Sequence, residues 1–459
     1  MTTHQSFKRL VRARMVKTGE RYAAARRALL AERPSPPVVP PAIAHGSRGH
    51  AYRGGQQPVS ASLANVLASL GVRSPVTGEP LSEATILGIG GGLGAGYILW
   101  EFATHDSPVL VLGFGNQWQY PAVPGWTGTT LERLGLTADV RETGGPKGAA
   151  NTLDGILASG DPVIAYIDQQ ALGTWGQPAS MSGHSGYPVV IVRRRDDGRY
   201  EVDDRGRAPL LVDPETMAAA RGRIVSFKHR LIHVHRPAAA LTVDGLRQAI
   251  LAGLHDQVAH LRRPSDSFSL PAWRKWARLM TDPRNAKAWP RVFADGTGLF
   301  GALLSIVENV DDGTGATGGH LRELYATTLD EAAAILDRPS LSDAAIAWRA
   351  AADLWEDLAD AAVPPRLTDG LEAVAAAERL HDAVMEGEPG RARAMGAARE
   401  LWARRGDNAT SVGLDDDARA SLFADLGERL RAIYEAEVVA LEATAAATGI
   451  RPAGGDGGT

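Results

Sequence analysis

The stretch that most limits what this chain can fold into is residues 81–97, where six glycines fall between Gly88 and Gly96. Glycine is needed where the backbone takes a positive φ or lies tightly against a neighbour, and apolar residues on either side pin this loop to a core. A loop shaped in this way is a candidate site. Just upstream, Pro58 suits the first helical position, and Leu63, Val66, Leu67 and Leu70 recur at helical spacing. The segment reads as a helix, an acidic connector, the glycine loop and an apolar element.

Further along, apolar and β-branched runs at 109–114, 137–143 and 162–168 predict strands, with a helix over 148–159 before the third. Gly183 and His184 open another strand, which turns at Asp196, Asp197 and Gly198 into residues 199–204. This hairpin is expected to set His184 and Asp203 at corresponding ends of adjacent strands. A strand at 210–212, a helix at 214–221 and a strand at 230–235 follow. His233 and His235 share a strand face by period two, but with no third ligand in view no metal is expected. His45 and His50 lie in a Gly- and Ser-bearing stretch and read as solvent-exposed loop residues.

From residue 241 the period becomes helical, with helices predicted over 243–261, 269–280, 298–309, 321–336, 341–362, 371–385, 392–404 and 415–448. The Gly-rich run at 314–319 could cradle a substrate at the start of the next helix, where Arg322 and Tyr325 share a face. At the other end, residues 5–33 carry nine Lys or Arg against Glu20 and Glu32, and read as two short basic helices that could meet an acidic partner. A proline-rich linker follows. The expected organisation is a basic module at 1–33, a linker at 34–44, an α+β domain at 45–237, a helical domain at 238–449 and a tail at 450–459.

A net charge of −4 gives no general attraction to nucleic acid or an anionic membrane. No apolar run approaches the roughly 18 residues that span a bilayer, and the N-terminus lacks the apolar core of a signal peptide, so the cytoplasm is the expected compartment. The chain has no cysteine, which excludes disulfides, thiolate metal sites and a thiol nucleophile.

The helix start, Leu81-Ser82-Glu83, the glycine loop and Tyr97 together resemble the N-terminal domain of the butirosin biosynthesis protein H family. These are papain-like acyltransferases that move an acyl group from a carrier-protein thioester to an amine. The family pattern is Gly-x-His-Cys at a helix start, then Leu-Ser-Glu, then a Gly-rich loop ending in an aromatic. The register that aligns Leu63 puts Gln57 where the family has His and Pro58 where it has the nucleophilic Cys. The hairpin resembles the family's as well, with Gly183-His184 and Tyr200 to Asp203 as the matching residues. The helical half is similar to the domain of unassigned function that commonly follows, through Trp289, Glu331, Trp355 and the 314–326 run. The resemblance implies an α+β papain-like domain followed by an all-α domain. It also implies an acyl carrier protein and a small amine as partners; no cofactor is expected.

Without the cysteine, three readings stay open. Ser60 could replace the thiol with His184 and Asp203 as its base and carboxylate. His184 could act alone as general base, with Gln57 and the helix amides stabilising the oxyanion and Pro58, Gly90, Gly91, Gly92, Gly94 and Tyr97 lining the substrate space. Alternatively, the site is inactive and the fold binds a ligand, a carrier or a catalytic homologue. The loop also nearly matches a dinucleotide fingerprint, Gly90-x-Gly92-x-x-Ala95, which would need a strand before it and a helix after it.

Overall fold

The structure is a computed structural model, described at residues 14, 17, 18, 29, 49–100, 108–112, 125–311 and 318–449. Nearly all of the basic module and the whole of the linker, His45, most of the Gly-rich run at 314–319 and the tail lie outside the described residues. Helix α1 (Pro58–Ser69) begins as its sequence dictates: Pro58 lacks the N–H that a first turn cannot use, and the Gln57 side chain caps the Ser60 amide. Helix α2 (Glu83–Ile89) starts on Ser82, whose hydroxyl accepts from the Thr85 amide. The acidic connector expected there is therefore a helix.

The glycine loop leads into β1 (Tyr97–Trp100), which pairs antiparallel with β2 (Val109–Leu112). Then come α3 (Gly125–Arg133), β3 (Ala138–Arg141), α4 (Pro146–Ser159), β4 (Val163–Asp168), α5 (Gln169–Leu172), β5 (Gly186–Arg194), β6 (Tyr200–Asp203), β7 (Leu210–Val212), α6 (Pro214–Arg223) and β8 (Leu231–Val234). Strands β3 to β8 form one sheet in the order β3-β8-β4-β5-β6-β7, antiparallel at every pairing.

Strand periodicity divides the apolar side chains between two layers. Val163, Ala165, Ile167, Val189 and Ile191 face Leu153 of α4 and Met217 of α6. Ile164, Val190, Val192 and Ile232 face the opposite way, into a core shared with α1 and with the helical half. Helix α1 lies across β4 and β5 on that face. The class is α+β, with a six-stranded sheet in the first half and helices in the second.

The second half contains α7 (Val243–Leu261), α8 (Pro271–Leu279), α9 (Trp289–Val292), α10 (Leu299–Asp311), α11 (Arg322–Leu336), α12 (Ser340–Ala362), α13 (Thr368–Met385), α14 (Arg391–Asp407) and α15 (Asp416–Thr448). Its centre is an ion pair. Arg322 and Glu437 are both fully buried; the guanidinium donates to the carboxylate at 2.7 and 2.9 Å, and the indoles of Trp273 and Trp355 donate to it at 3.1 and 2.6 Å. No described helix is long and apolar enough to cross a membrane.

Removing one member of a buried, fully hydrogen-bonded ion pair leaves an uncompensated charge, which costs about 3–5 kcal/mol. Arg322→Met should therefore lower the unfolding free energy by about that amount in denaturant titration, whereas Arg349→Met, at a half-exposed pair, should cost under about 1 kcal/mol.

Candidate functional site

A helix start leaves N–H groups without partners, and a papain-type centre uses them to hold an oxyanion. Here a side chain of the protein takes them. Glu83, at the start of α2, accepts from the backbone amides of Gln56 and Gln57 at 2.8 Å each and from the Ser60 hydroxyl at 2.9 Å. Gln57 Oε1 accepts from the Ser60 amide at 2.7 Å, while Arg205 donates to the Gln56 carbonyl at 2.8 Å. Ser60 is fully buried, with its hydroxyl aimed at a carboxylate. It does not occupy the exposed position of a nucleophile. Gln57 serves as an internal cap, and the amides of Gln56, Gln57 and Ser60 at the helix start are filled.

Behind Arg205 lies a second buried carboxylate. Asp204 accepts from Tyr187 Oη at 2.6 Å and Trp175 Nε1 at 3.0 Å, and its other oxygen is 3.6 Å from Arg205 Nε. The guanidinium lies over both aromatic rings. Burial pushes the carboxyls of Glu83 and Asp204 above their ordinary values, against the hydrogen bonds and the Arg205 charge.

His184 and Asp203 are not partners. His184 is exposed in the turn before β5, where the flanking amides of Gly183 and Ser185 donate to Asp168. Asp203 pairs with Val190, and a strand climbs roughly 20 Å between residues 184 and 190 at about 3.3 Å per residue. The hairpin expectation fails on register. Asp203 instead meets His50, which is 2 % exposed and so is not the solvent-facing loop residue its surroundings suggest. His50 Nε2 lies 3.0 Å from Asp203 Oδ2, an oxygen that also accepts from Asn65 Nδ2 at 3.0 Å. His50 Nδ1 lies 2.6 Å from the Ser69 hydroxyl. His50 and Ser69 open on a cleft of about 360 Å³ whose walls include Asp154, Arg193, Arg194 and Arg236.

The remaining expected site residues are packing residues. Gly90, Gly91, Gly92 and Gly94 are buried; a Cβ on Gly90 would fall 2.1 Å from the Trp126 ring, and one on Gly92 2.7 Å from Tyr325. The loop's glycines let the two halves approach rather than cradle a ligand. Tyr97 stacks on Trp276 at 5.0 Å and accepts from the Trp289 indole. Arg322 belongs to the buried ion pair, and Tyr325 packs edge-on against Trp348. The dinucleotide reading fails as well, since the loop follows a helix and precedes a strand of an antiparallel pair. His233 and His235 face different carboxylates, Asp161 and Asp139, and no group of metal-ligating side chains occurs among the described residues.

These features define an α+β protein with a helix start buried against an antiparallel sheet and an all-helical half packed on its Gly-rich loop. Residues 57–205 match the family described as Butirosin biosynthesis protein H, N-terminal, and residues 216–389 match the Domain of unknown function (DUF4872). No curated protein matches the chain.

The raised carboxyls have a consequence for pH. The folded chain keeps these protons to higher pH than the unfolded chain, so it binds more protons in a window that opens at about pH 4. Stability from this source is complete below the window and is lost as pH rises through the folded values. Asp204→Asn should flatten the fall of unfolding free energy with pH above about 4, measured by denaturant melts across a pH series.

Proposed function

We propose that this protein has the papain-like architecture of its family but is not a catalyst at the family's position, and that it works as a partner that holds an acyl carrier protein or its acyl group in specialised metabolism. The observation that carries this reading is Glu83: its carboxylate accepts from the Gln56 and Gln57 amides at the start of α1, where an acyl-transfer centre needs a vacant oxyanion position. An anionic intermediate there would meet a buried acid. Further support comes from Pro58, which offers no nucleophile, from the absence of cysteine, and from Asp203, which pairs with His50 rather than with His184. A polar network occupies the helix start, where the resemblance would place the chemistry. The acyl donor and amine are thus ligands to be held, not groups to be joined at this position.

The test combines turnover and binding. Acyl-carrier and acyl-pantetheine thioesters of varied chain length are incubated with the protein and a panel of amines, alongside Ser60→Ala and His184→Ala. The expected result is no aminolysis above background that depends on Ser60 or His184, with calorimetry showing saturable binding of a carrier protein. Turnover lost in either variant, or no binding by any carrier in the panel, would overturn the proposal.

A further inference from the structure

The C-terminal end of α1 carries a separate constellation. Ser69 is its last residue, roughly 14 Å from Ser60 at about 1.5 Å of rise per residue. We infer that Ser69, His50 and Asp203 form a serine nucleophile centre that takes a small acyl group, as an ester or thioester, from the adjoining cleft. This is independent of the reading given for the start of α1.

The contacts fix the roles. A carboxylate only accepts, so the His50 nitrogen facing Asp203, Nε2, holds the proton when the ring is neutral. Nδ1 is then the acceptor, and the Ser69 hydroxyl lies 2.6 Å from it. The two nitrogens are exchanged relative to the serine-protease template in which such triads are usually described, but a triad is recognised by its roles. Asn65, one helical turn before Ser69, holds the Asp203 oxygen in place at 3.0 Å. Burial follows the same division. The His50 and Asp203 side chains are 3 % and 1 % exposed, while Ser69 is partly exposed at the cleft.

A purely structural role accounts for this less well. The Ser69 hydroxyl has one proton and two acceptors in reach, the Asn65 carbonyl at 2.8 Å and His50 Nδ1 at 2.6 Å, and the shorter contact is the one to the base. Asp203 Oδ1 is buried with no hydrogen-bond partner, and desolvating a carboxylate in that state costs stability that an apolar contact would not. The cleft is of ligand size. Its arginines are compensated within the protein, Arg193 by Glu201, Arg194 by Asp154 and Arg236 by Asp161, so charge gives the acyl group no fixed sign.

The reaction balances without a co-reactant other than water. Ser69 Oγ bonds to the acyl carbon as its proton passes to His50 Nδ1, and Asp203 stabilises the imidazolium. Collapse breaks the C–O or C–S bond, and the leaving alcohol or thiol departs with the His50 proton. Water then attacks the acyl-serine by the same route, giving the carboxylic acid and restoring Ser69. Asp203 is a positioning residue; Ser69 and His50 touch the reacting atoms.

A fluorophosphonate probe with peptide mapping tests the nucleophile. Labelling of the peptide that carries Ser69, absent in Ser69→Ala and reduced at least about tenfold in His50→Gln, is the expected result. p-Nitrophenyl acetate should be hydrolysed above background, and the excess should be lost in Ser69→Ala. Because the chain has no cysteine, Ser69→Cys supplies a single thiol that does not depend on the serine variants folding alike. Its alkylation by iodoacetamide near neutral pH should be about tenfold faster than in Ser69→Cys/His50→Gln, and its pH profile should shift in Ser69→Cys/Asp203→Asn. A folded wild type that takes no label at Ser69, ester hydrolysis that persists in Ser69→Ala, or an introduced thiol whose alkylation ignores His50 would overturn the inference.

Discussion

The start of α1 is a set of inward-facing amides that must find acceptors, and much of the first half is arranged around how they do so. Pro58 removes only one donor from the set. Glu83 fills the role from α2, so α2 must lie across the start of α1, and the glycine loop that follows α2 must turn immediately into the core. Arg205 then neutralises the neighbourhood by reaching the Gln56 carbonyl on one side and Asp204 on the other. A catalytic centre leaves such amides available until a substrate arrives. Here the Gln56, Gln57 and Ser60 amides are satisfied on folding.

The same α2 that supplies Glu83 ties the sheet-bearing half to the helical half. Ser82 and Thr85 both donate to Glu331 of α11 at 2.5 Å, Thr328 donates to the Ala84 carbonyl at 2.6 Å, and Arg133 links the Ile89 carbonyl to Asp256 of α7. Close approach makes these bonds reachable. A Cβ on Gly253 of α7 would lie 2.0 Å from the Gly88 carbonyl, and one on Gly88 would lie 2.3 Å from Thr328. Gly88 and Gly92 are thus explained by the contact between the two halves, and Gly90 by its approach to Trp126 of α3. The buried Arg322–Glu437 pair stands just beyond it, within a shared apolar core that runs from Tyr52 to Ala445.

Periodicity makes most of the architecture legible. The Leu63, Val66 and Leu67 stripe, the runs at β4, β5 and β8 and the long helical repeats after residue 241 all report burial on one face, which a sequence carries directly. Helix α2 escapes such a reading although Ser82 is an ordinary cap, because the helix is short and runs into glycines. The site is harder to read for two reasons. The motif of a glycine shortly before an apolar run occurs at Gly183 and again at Gly186, and only strand pairing shows that β5 begins at the second. His50 meets Asp203 across 153 positions, and nothing local in its Gly- and Ser-bearing surroundings signals burial. Tyr97, Arg322 and Tyr325 sit in positions that suit a ligand contact and a core contact equally well by spacing, and their burial decides for the core.

Both ends of α1 are governed by three consecutive residues where β6 ends. Asp203 is on the face that meets α1 and holds His50 and Asn65; Asp204 meets Tyr187 and Trp175; Arg205, with φ 60, turns the chain so that its guanidinium reaches Gln56. Because side chains alternate along a strand, a slip of one residue in β6 would exchange the two aspartates and break both networks at once. The pairing of Val190 with Asp203 prevents it, and the bulge between Ile191 and Arg193 absorbs the extra residue before the hairpin turn. The segment 50–57, held by the Gly54 amide on the Gly206 carbonyl, completes the frame. A change at the helix start that pulled Arg205 away would thus be transmitted along β6 to Asp203, so the polar network at one end and the serine at the other share a single structural support.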